Sequence, residues 1–194
     1  MAKRIMKPGT MISPLPAVLI SCGDMEHSNV FTAAWTGILS SNPPRAYVSI
    51  RPERHSYGII SEKKEFVINL ASSKMAKALD YCGVKSGRDE DKFLSCSLKK
   101  IDSIEVACPT IKQSPLSLEC RVFKIVPMGS HDMFMADIVS VSADEHLFDK
   151  QGRFELEKSD LISYIHGQYF SQGKLLGNFG WSVRKKKKKN NKSK

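Results

Sequence analysis

LSLECRVFKIVPMGSHDMFMADIVSVSAD, Leu116 to Asp144, holds two long runs rich in aliphatic and aromatic residues that meet at Gly129-Ser130. Runs of this kind on either side of a turn predict an antiparallel hairpin, and their length makes them the two central strands of a sheet. Working outward, FVINLA (Phe66 to Ala71) is an apolar run of strand length, and RAYVSIRP (Arg45 to Pro52) alternates with period two. PAVLISC (Pro16 to Cys22) passes through the polar GDMEHS into NVFTAAW (Asn29 to Trp35), a spacing that suits a hairpin with a longish loop. NVFTAAW begins as a strand, then turns small at Thr32, Ala33 and Ala34 before Trp35, and small residues continue through TGILSSNPP.

Helices are fewer. Ser56 is placed to cap a short helix through YGIISEKK, and SSKMAKALDYCGV carries Met75, Leu79, Tyr81 and Cys82 close to helical spacing. DEDKFLSCSL predicts a helix from Asp89 with acidic residues in its first turn, whereas Glu155 to Ile165 fits either state. Strands joined by loops and short helices, without the alternation of strand and long helix of a doubly wound sheet, predict a mainly β, closed or nearly closed antiparallel barrel with peripheral short helices.

The chain has 194 residues, 41% of them apolar, enough for one continuous core. Its formal charge of +10 is concentrated at one end: RKKKKKNNKSK carries Arg184 and seven lysines, and without those eight cations 22 basic residues face 20 acidic ones. A nucleic-acid-binding barrel is therefore disfavoured, and the terminal run reads as a solvated basic tail. There is no apolar run of membrane-spanning length and no secretory leader in MAKRIMKPGTMISPLP, which predicts a cytoplasmic protein. The expected organisation is an N-terminal arm at 1–13, one domain at 14–180 and the tail at 181–194. Cys22, Cys82, Cys96, Cys108 and Cys120 are widely spaced, with no Cys-x-x-Cys pair and no zinc-ligand histidine spacing; Cys22 and Cys120 read as small buried hydrophobes. No metal site and no catalytic thiol are expected.

Neither a Gly-x-Gly-x-x-Gly after a strand nor a P-loop occurs, so an anion must be held another way. SIRPERHSYG, Ser49 to Gly58, supplies it: Arg51 or Arg54 as guanidinium donors, Ser49 or Ser56 as hydroxyls, and backbone N–H groups at a helix start, against the alternative of a solvated basic turn.

NVFTAAW, VSIRPERHSYGII, FVINLA, SGRDEDKF and GSHDMFMADIVSV stand in an order that resembles the flavoredoxin branch of the flavin reductase-like family, from about Pro14 to Phe179. The resemblance implies an FMN-binding split barrel of Greek-key type. It places Asn29, Thr32, Ala33, Ala34 and Trp35 beside the isoalloxazine and ribityl chain, where small side chains let backbone approach a flat ring. Ser49, Ile50, Arg51, His55, Ser56 and Tyr57 match the family's phosphate segment. Lys92, with Arg88 as its neighbour in the motif, matches a further phosphate contact. Asn69 matches as well, with a structural role tying barrel backbones together as the alternative. His131 sits in a Gly-x-His pattern that resembles the family's Gly-Asp-His near the nicotinamide, with Ser130 in place of the aspartate; a plain turn histidine is the alternative. Gly167, Gly173 and Gly177 resemble the closing segment, which crosses close to the barrel or a second subunit. The implied protein is a homodimer that takes hydride from NADH or NADPH onto FMN and passes electrons to an unidentified acceptor, either a redox partner or free flavin. The alternative is an electron carrier without nicotinamide turnover of its own. The flavin is the redox centre, so no general base is assigned.

Overall fold

In the computed structural model, which describes residues 1–184, residues 1–13 are exposed and carry no helix or strand. The lysine-rich part of the expected tail, 185–194, lies outside the described residues. The strands in chain order are β1 (Leu15–Pro16), β2 (Val18–Gly23), β3 (Ser28–Ala33), β4 (Thr36–Ser41), β5 (Pro44–Ile50), β6 (Glu65–Leu70), β7 (Lys100–Ile101), β8 (Thr110–Ile111), β9 (Leu116–Pro127), β10 (Asp132–Ala143), β11 (Ile162–Ile165) and β12 (Gln168–Ser171). The helices are α1 (His55–Lys63), α2 (Ala76–Val84) and α3 (Lys92–Ser95).

The hairpin β9–β10 is central, as its length predicts. Seven strands pair antiparallel in the order β3-β2-β6-β9-β10-β5-β4, with β1-β11-β12 and β7-β8 as two small satellites. The turn between β9 and β10 uses Gly129 at φ +90°, a region glycine enters without strain, and the Met128 N–H donates to the His131 carbonyl at 2.9 Å.

The strand order fixes the closure. The two edge strands of the seven, β3 and β4, are consecutive in the chain and joined only by Ala34 and Trp35. A sheet whose opposite edges are two residues apart must curl until they meet, so the barrel closes at this seam. Ala33 still pairs with Val18 of β2, whereas the Trp35 carbonyl already accepts the Ser49 N–H of β5 at 2.8 Å. Within two residues the backbone changes partners, and the ladder is split there.

Phe66, Phe134, Ile20 and Ile60 fill the barrel interior, and a second cluster of Leu19, Val30, Leu79, Cys82, Phe93 and Ile162 lies between the barrel wall and the helices. Strand β2 faces both clusters, so it reads as a continuous apolar run rather than an alternating one. Asn69, fully buried, ties this wall together: its amide donates to the carbonyls of Leu19 and Val67 and to Ser21 Oγ, and its oxygen accepts from the Ile111 N–H and Ser117 Oγ.

Two local expectations are corrected, and TGILSS, to which local patterning assigns no element, is strand β4; its weak intrinsic preference is overcome by the ladder with β5. Ser56 caps nothing: Arg54 is the N-cap residue, no side chain caps α1, and Ser56 lies buried inside the helix, accepting from Asn29 Nδ2 at 2.7 Å. The helix expected from Asp89 is only Lys92–Ser95, because the Asp91 carboxylate takes the N–H groups of Phe93 and Leu94 and so sets the start. The ambiguous 155–165 segment divides into a short 3-10 turn, Leu156–Ser159, and strand β11.

Candidate functional site

Two clefts open along the seam and meet at Phe31, Arg51 and Arg54. The first, about 350 Å³, has β3 and its exit as one wall, through Thr32, Ala33, Ala34 and Trp35. Ser49, Ile50 and Arg51 from the end of β5 line it, as does His131 from the start of β10, with Tyr164 and Tyr169 opposite. Ala33 is buried in the barrel core, while Ala34 is only half-buried, so Ala34 is the small residue that leaves the seam open. Thr32 offers no free hydroxyl: it donates to the Leu79 carbonyl and pins α2 to the barrel wall. The rings of Trp35 and His131 are stacked in parallel, 2° apart in plane and 6.0 Å between centroids, and both are partly exposed. His131 Nδ1 lies 3.0 Å from Ser130 Oγ. Burial, then the nearby Arg51, hold the His131 pKa below its ordinary value, so the imidazole is neutral at pH 7.

The second cleft, about 510 Å³, is cationic: Arg51, Arg54, Lys85, Arg88 and Lys92 line it against one acid, Glu53. Glu53 is 3.5 Å from Arg51, which leaves four cations without a carboxylate partner in the cleft. Two of the guanidinium groups are held by backbone: Arg54 Nη1 donates to the Gly83 carbonyl at 3.3 Å and Arg88 Nη1 to the Glu53 carbonyl at 3.0 Å. Lys92, at the start of α3, is buried; its Nζ donates to the carbonyls of Cys82 and Lys85, both at 3.1 Å. Burial holds its pKa below the ordinary lysine value, a direction the nearby Arg54 reinforces. His55 is likewise lowered by burial and by Arg88 and Lys92.

Asn29 positions this cleft. Its amide holds Ser56 of α1, and Gly87 passes so close to its oxygen that a Cβ there would lie 2.2 Å from it. Only glycine lets the 85–88 turn reach β3.

The structure thus brings Asn29, Thr32, Ala33, Ala34, Trp35, Ser49, Ile50, Arg51, His55, Ser56, Lys92 and His131 onto one continuous surface. Tyr57 stays outside it: its hydroxyl donates to the Asp132 carboxylate at 2.6 Å, its ring packs edge-on against Phe134, and it lines neither cleft. Sequence reasoning missed Lys85, Ser86 and Gly87, although SGRDEDKF begins among them, and Asp80, Gly83 and Tyr164. Tyr169 donates to Asp80 at 3.2 Å and packs on Tyr164, closing one end of the first cleft. Among the described residues no cluster of metal-ligating side chains occurs. None of the helices described there is long and apolar enough to cross a membrane.

The family described as Flavin reductase like domain matches residues 11–171. The chain belongs to the flavin reductase-like family. It is similar to a protein of Archaeoglobus fulgidus that carries no functional name, 36% identical over 158 residues, covering 81% of this chain and 88% of that one. The fold is that of the family's split barrels: it is similar to the flavoredoxin of Desulfovibrio vulgaris (Miyazaki F), with a TM-score of 0.87 at 27% identity over 94% of this chain and all of that one. The protein named FMN reductase (NADH) RutF from Enterobacter cloacae is 26% identical over 111 residues, 57% of this chain and 65% of that one. The barrel seam and the two clefts of this chain lie within residues 11–171, the span that the family matches.

Proposed function

We propose that this chain is an FMN-binding flavoprotein that works as an NAD(P)H-dependent, flavin reductase-like oxidoreductase. The observation that carries the reading is the junction at Arg51 and Arg54 of a flat, small-walled cleft with a cationic one. A ligand with a planar ring at one end and a phosphate monoester at the other fits that pair, and FMN has this form.

The residues fit the cofactor chemically. Arg51, Arg54, Arg88 and Lys92 supply the donors a phosphate dianion needs, and the uncapped start of α1 faces the same cleft through His55 and Ser56. Ala34 leaves room for a ring against the β3 backbone. FMN, when bound, supplies the redox chemistry, accepting two electrons from a nicotinamide and yielding them to an acceptor. The chain's own part is to bind and orient. Neutral His131, parallel to Trp35, offers a flat wall without a cation to repel an oxidised nicotinamide ring.

A second reading, a flavoredoxin-type electron carrier reduced only by another protein, is favoured by the similarity to a flavoredoxin over nearly the whole chain. The homodimer is proposed too, because Leu175, Leu176, Phe179 and Trp181 near one end, and Ile5 and Ile12 near the other, are large apolar side chains left exposed. A cytoplasmic location fits these partners.

The test is a visible spectrum. After incubation with FMN and desalting, the protein should retain a flavin band, and a featureless spectrum overturns the proposal. Anaerobic addition of NADH and of NADPH separates the two readings: prompt bleaching supports the reductase, and bleaching only after a second reductase protein is added supports the carrier.

A further inference from the structure

Among the described residues, one pair of cysteine sulfurs is in contact. Cys82 Sγ, near the end of α2, lies 3.8 Å from Cys96 Sγ, directly after α3. The chain between them carries Lys85, Ser86, Gly87, Arg88 and Lys92, five residues that line the cationic cleft. Lys92 already ties the loop to its own start, through the Cys82 and Lys85 carbonyls. Cys82 is buried and Cys96 half-buried, so Cys96 is the more exposed residue of the pair. The remaining cysteines, Cys22, Cys108 and Cys120, are buried. A disulfide needs sulfurs about 2.0 Å apart, so a movement of under about 2 Å converts contact to bond.

We propose that Cys82 and Cys96 form a reversible dithiol–disulfide site that closes the 82–96 loop and stiffens one wall of the cationic cleft. The oxidant is a small-molecule disulfide such as oxidised glutathione. The Cys96 thiolate attacks one of its sulfurs and expels a glutathione thiolate, leaving a mixed disulfide. Cys82, as thiolate, then attacks Cys96 Sγ and expels the second glutathione. Two protein thiols are oxidised to one disulfide, one glutathione disulfide is reduced to two thiols, and the two protons released from the cysteines end on the glutathione sulfurs. Burial pushes the Cys82 thiol up to about 12, with Cys96 adding to it, and burial raises Cys96 as well. Exchange is therefore slow at neutral pH and quickens as pH rises.

The experiment treats the full chain with oxidised glutathione at mildly alkaline pH, then unfolds it in acidic denaturant before blocking free thiols with N-ethylmaleimide, and maps peptides by mass. The expected result is three alkylated cysteines of the five in the chain and a Cys82–Cys96 peptide that dithiothreitol releases. The linkage should vanish in Cys96→Ser, the milder variant, and in Cys82→Ala. The linked form should be cut more slowly by trypsin after Lys85 and Arg88, both exposed, a readout that needs no flavin. Its FMN affinity should rise by roughly tenfold, since a pre-closed loop has less freedom to lose on binding. That last arm rests on the FMN reading; the linkage and the trypsin result do not, so absence of FMN binding in both states removes the flavin proposal alone. Five alkylated cysteines, an unresolved glutathione adduct, a link between any other pair, or equal trypsin rates in the two states overturns the thiol site.

Discussion

The central hairpin and the seam are opposite solutions within one barrel. Strands β9 and β10 run as partners almost end to end, each flanked by a further strand, β6 beside β9 and β5 beside β10. At the seam, β3 and β4 are neighbours in the chain but not in the ladder, and two residues carry the backbone from one partner strand to another. Ladders on both edges satisfy the hairpin's backbone, and Phe134 and Ala136 of β10 are packed in the barrel core, so the hairpin serves as scaffold, with His131 at its turn reaching the first cleft. The seam leaves a gap with small side chains on one side and cations on the other, so a ligand can complete it.

That difference can be broken from the scaffold side first. Phe134 is fully buried in β10, and Phe134→Ala should destabilise the protein by about 3–5 kcal/mol, read as a large fall in urea midpoint. A loss under about 1 kcal/mol would show that the hairpin is not the scaffold.

At the seam, losses should fall on binding. Lys92→Met should weaken FMN binding by about 1.5–3 kcal/mol, the range for a hydrogen bond to a charged group. The pH dependence sharpens this. Since burial lowers the Lys92 pKa, its charge is lost as pH rises through that lowered value, and FMN affinity should fall in a range where an ordinary lysine stays charged. The flavin-free protein should respond oppositely. Between the folded and unfolded values the unfolded chain binds more protons, so stability contributed by this group rises with pH. Both slopes should flatten in Lys92→Met; unchanged slopes would assign the titration to another group.

Ala34→Leu places bulk in the half-buried gap and should reduce FMN affinity by roughly tenfold, about 1.4 kcal/mol, with little change in melting temperature. The same change at Ala33 is less informative, because Ala33 belongs to the packed core and overfilling it costs about 1–3 kcal/mol of stability. The smallest effect is expected at Tyr57: Tyr57→Phe removes the hydrogen bond to Asp132, costs about 1 kcal/mol of stability, and leaves FMN affinity unchanged. A fall in affinity there would place Tyr57 in the cofactor site despite its position.

Legibility in the sequence followed the range of the determining interactions. The long hairpin, the apolar run of β6 and the buried thiols of Cys22 and Cys120 are set by local composition and could be read directly. Strand β4 could not, since Gly37, Ser40 and Ser41 favour no strand and only pairing with β5 makes one. Ser56 looked like a cap because nothing local shows that Asn29, 27 residues away, holds its hydroxyl. Tyr57 sits within the phosphate-like segment, yet one step along a helix turns a side chain by about 100°, enough to carry it from the cleft to Asp132.

The sequence by itself determined which residue types were available: small side chains after a strand start, two arginines before a helix, a glycine, arginine and lysine further on. It also determined the central hairpin, because two long apolar runs and a glycine turn between them are local signals that need no distant partner. Only the tertiary structure decided that β3 and β4 are the two edges of one sheet, that their meeting leaves a gap at Ala34, and that Gly87 touches Asn29 behind the cationic cleft. Those facts depend on strand order and close approach between segments tens of residues apart. No local preference encodes them; the shared core that curls the sheet does.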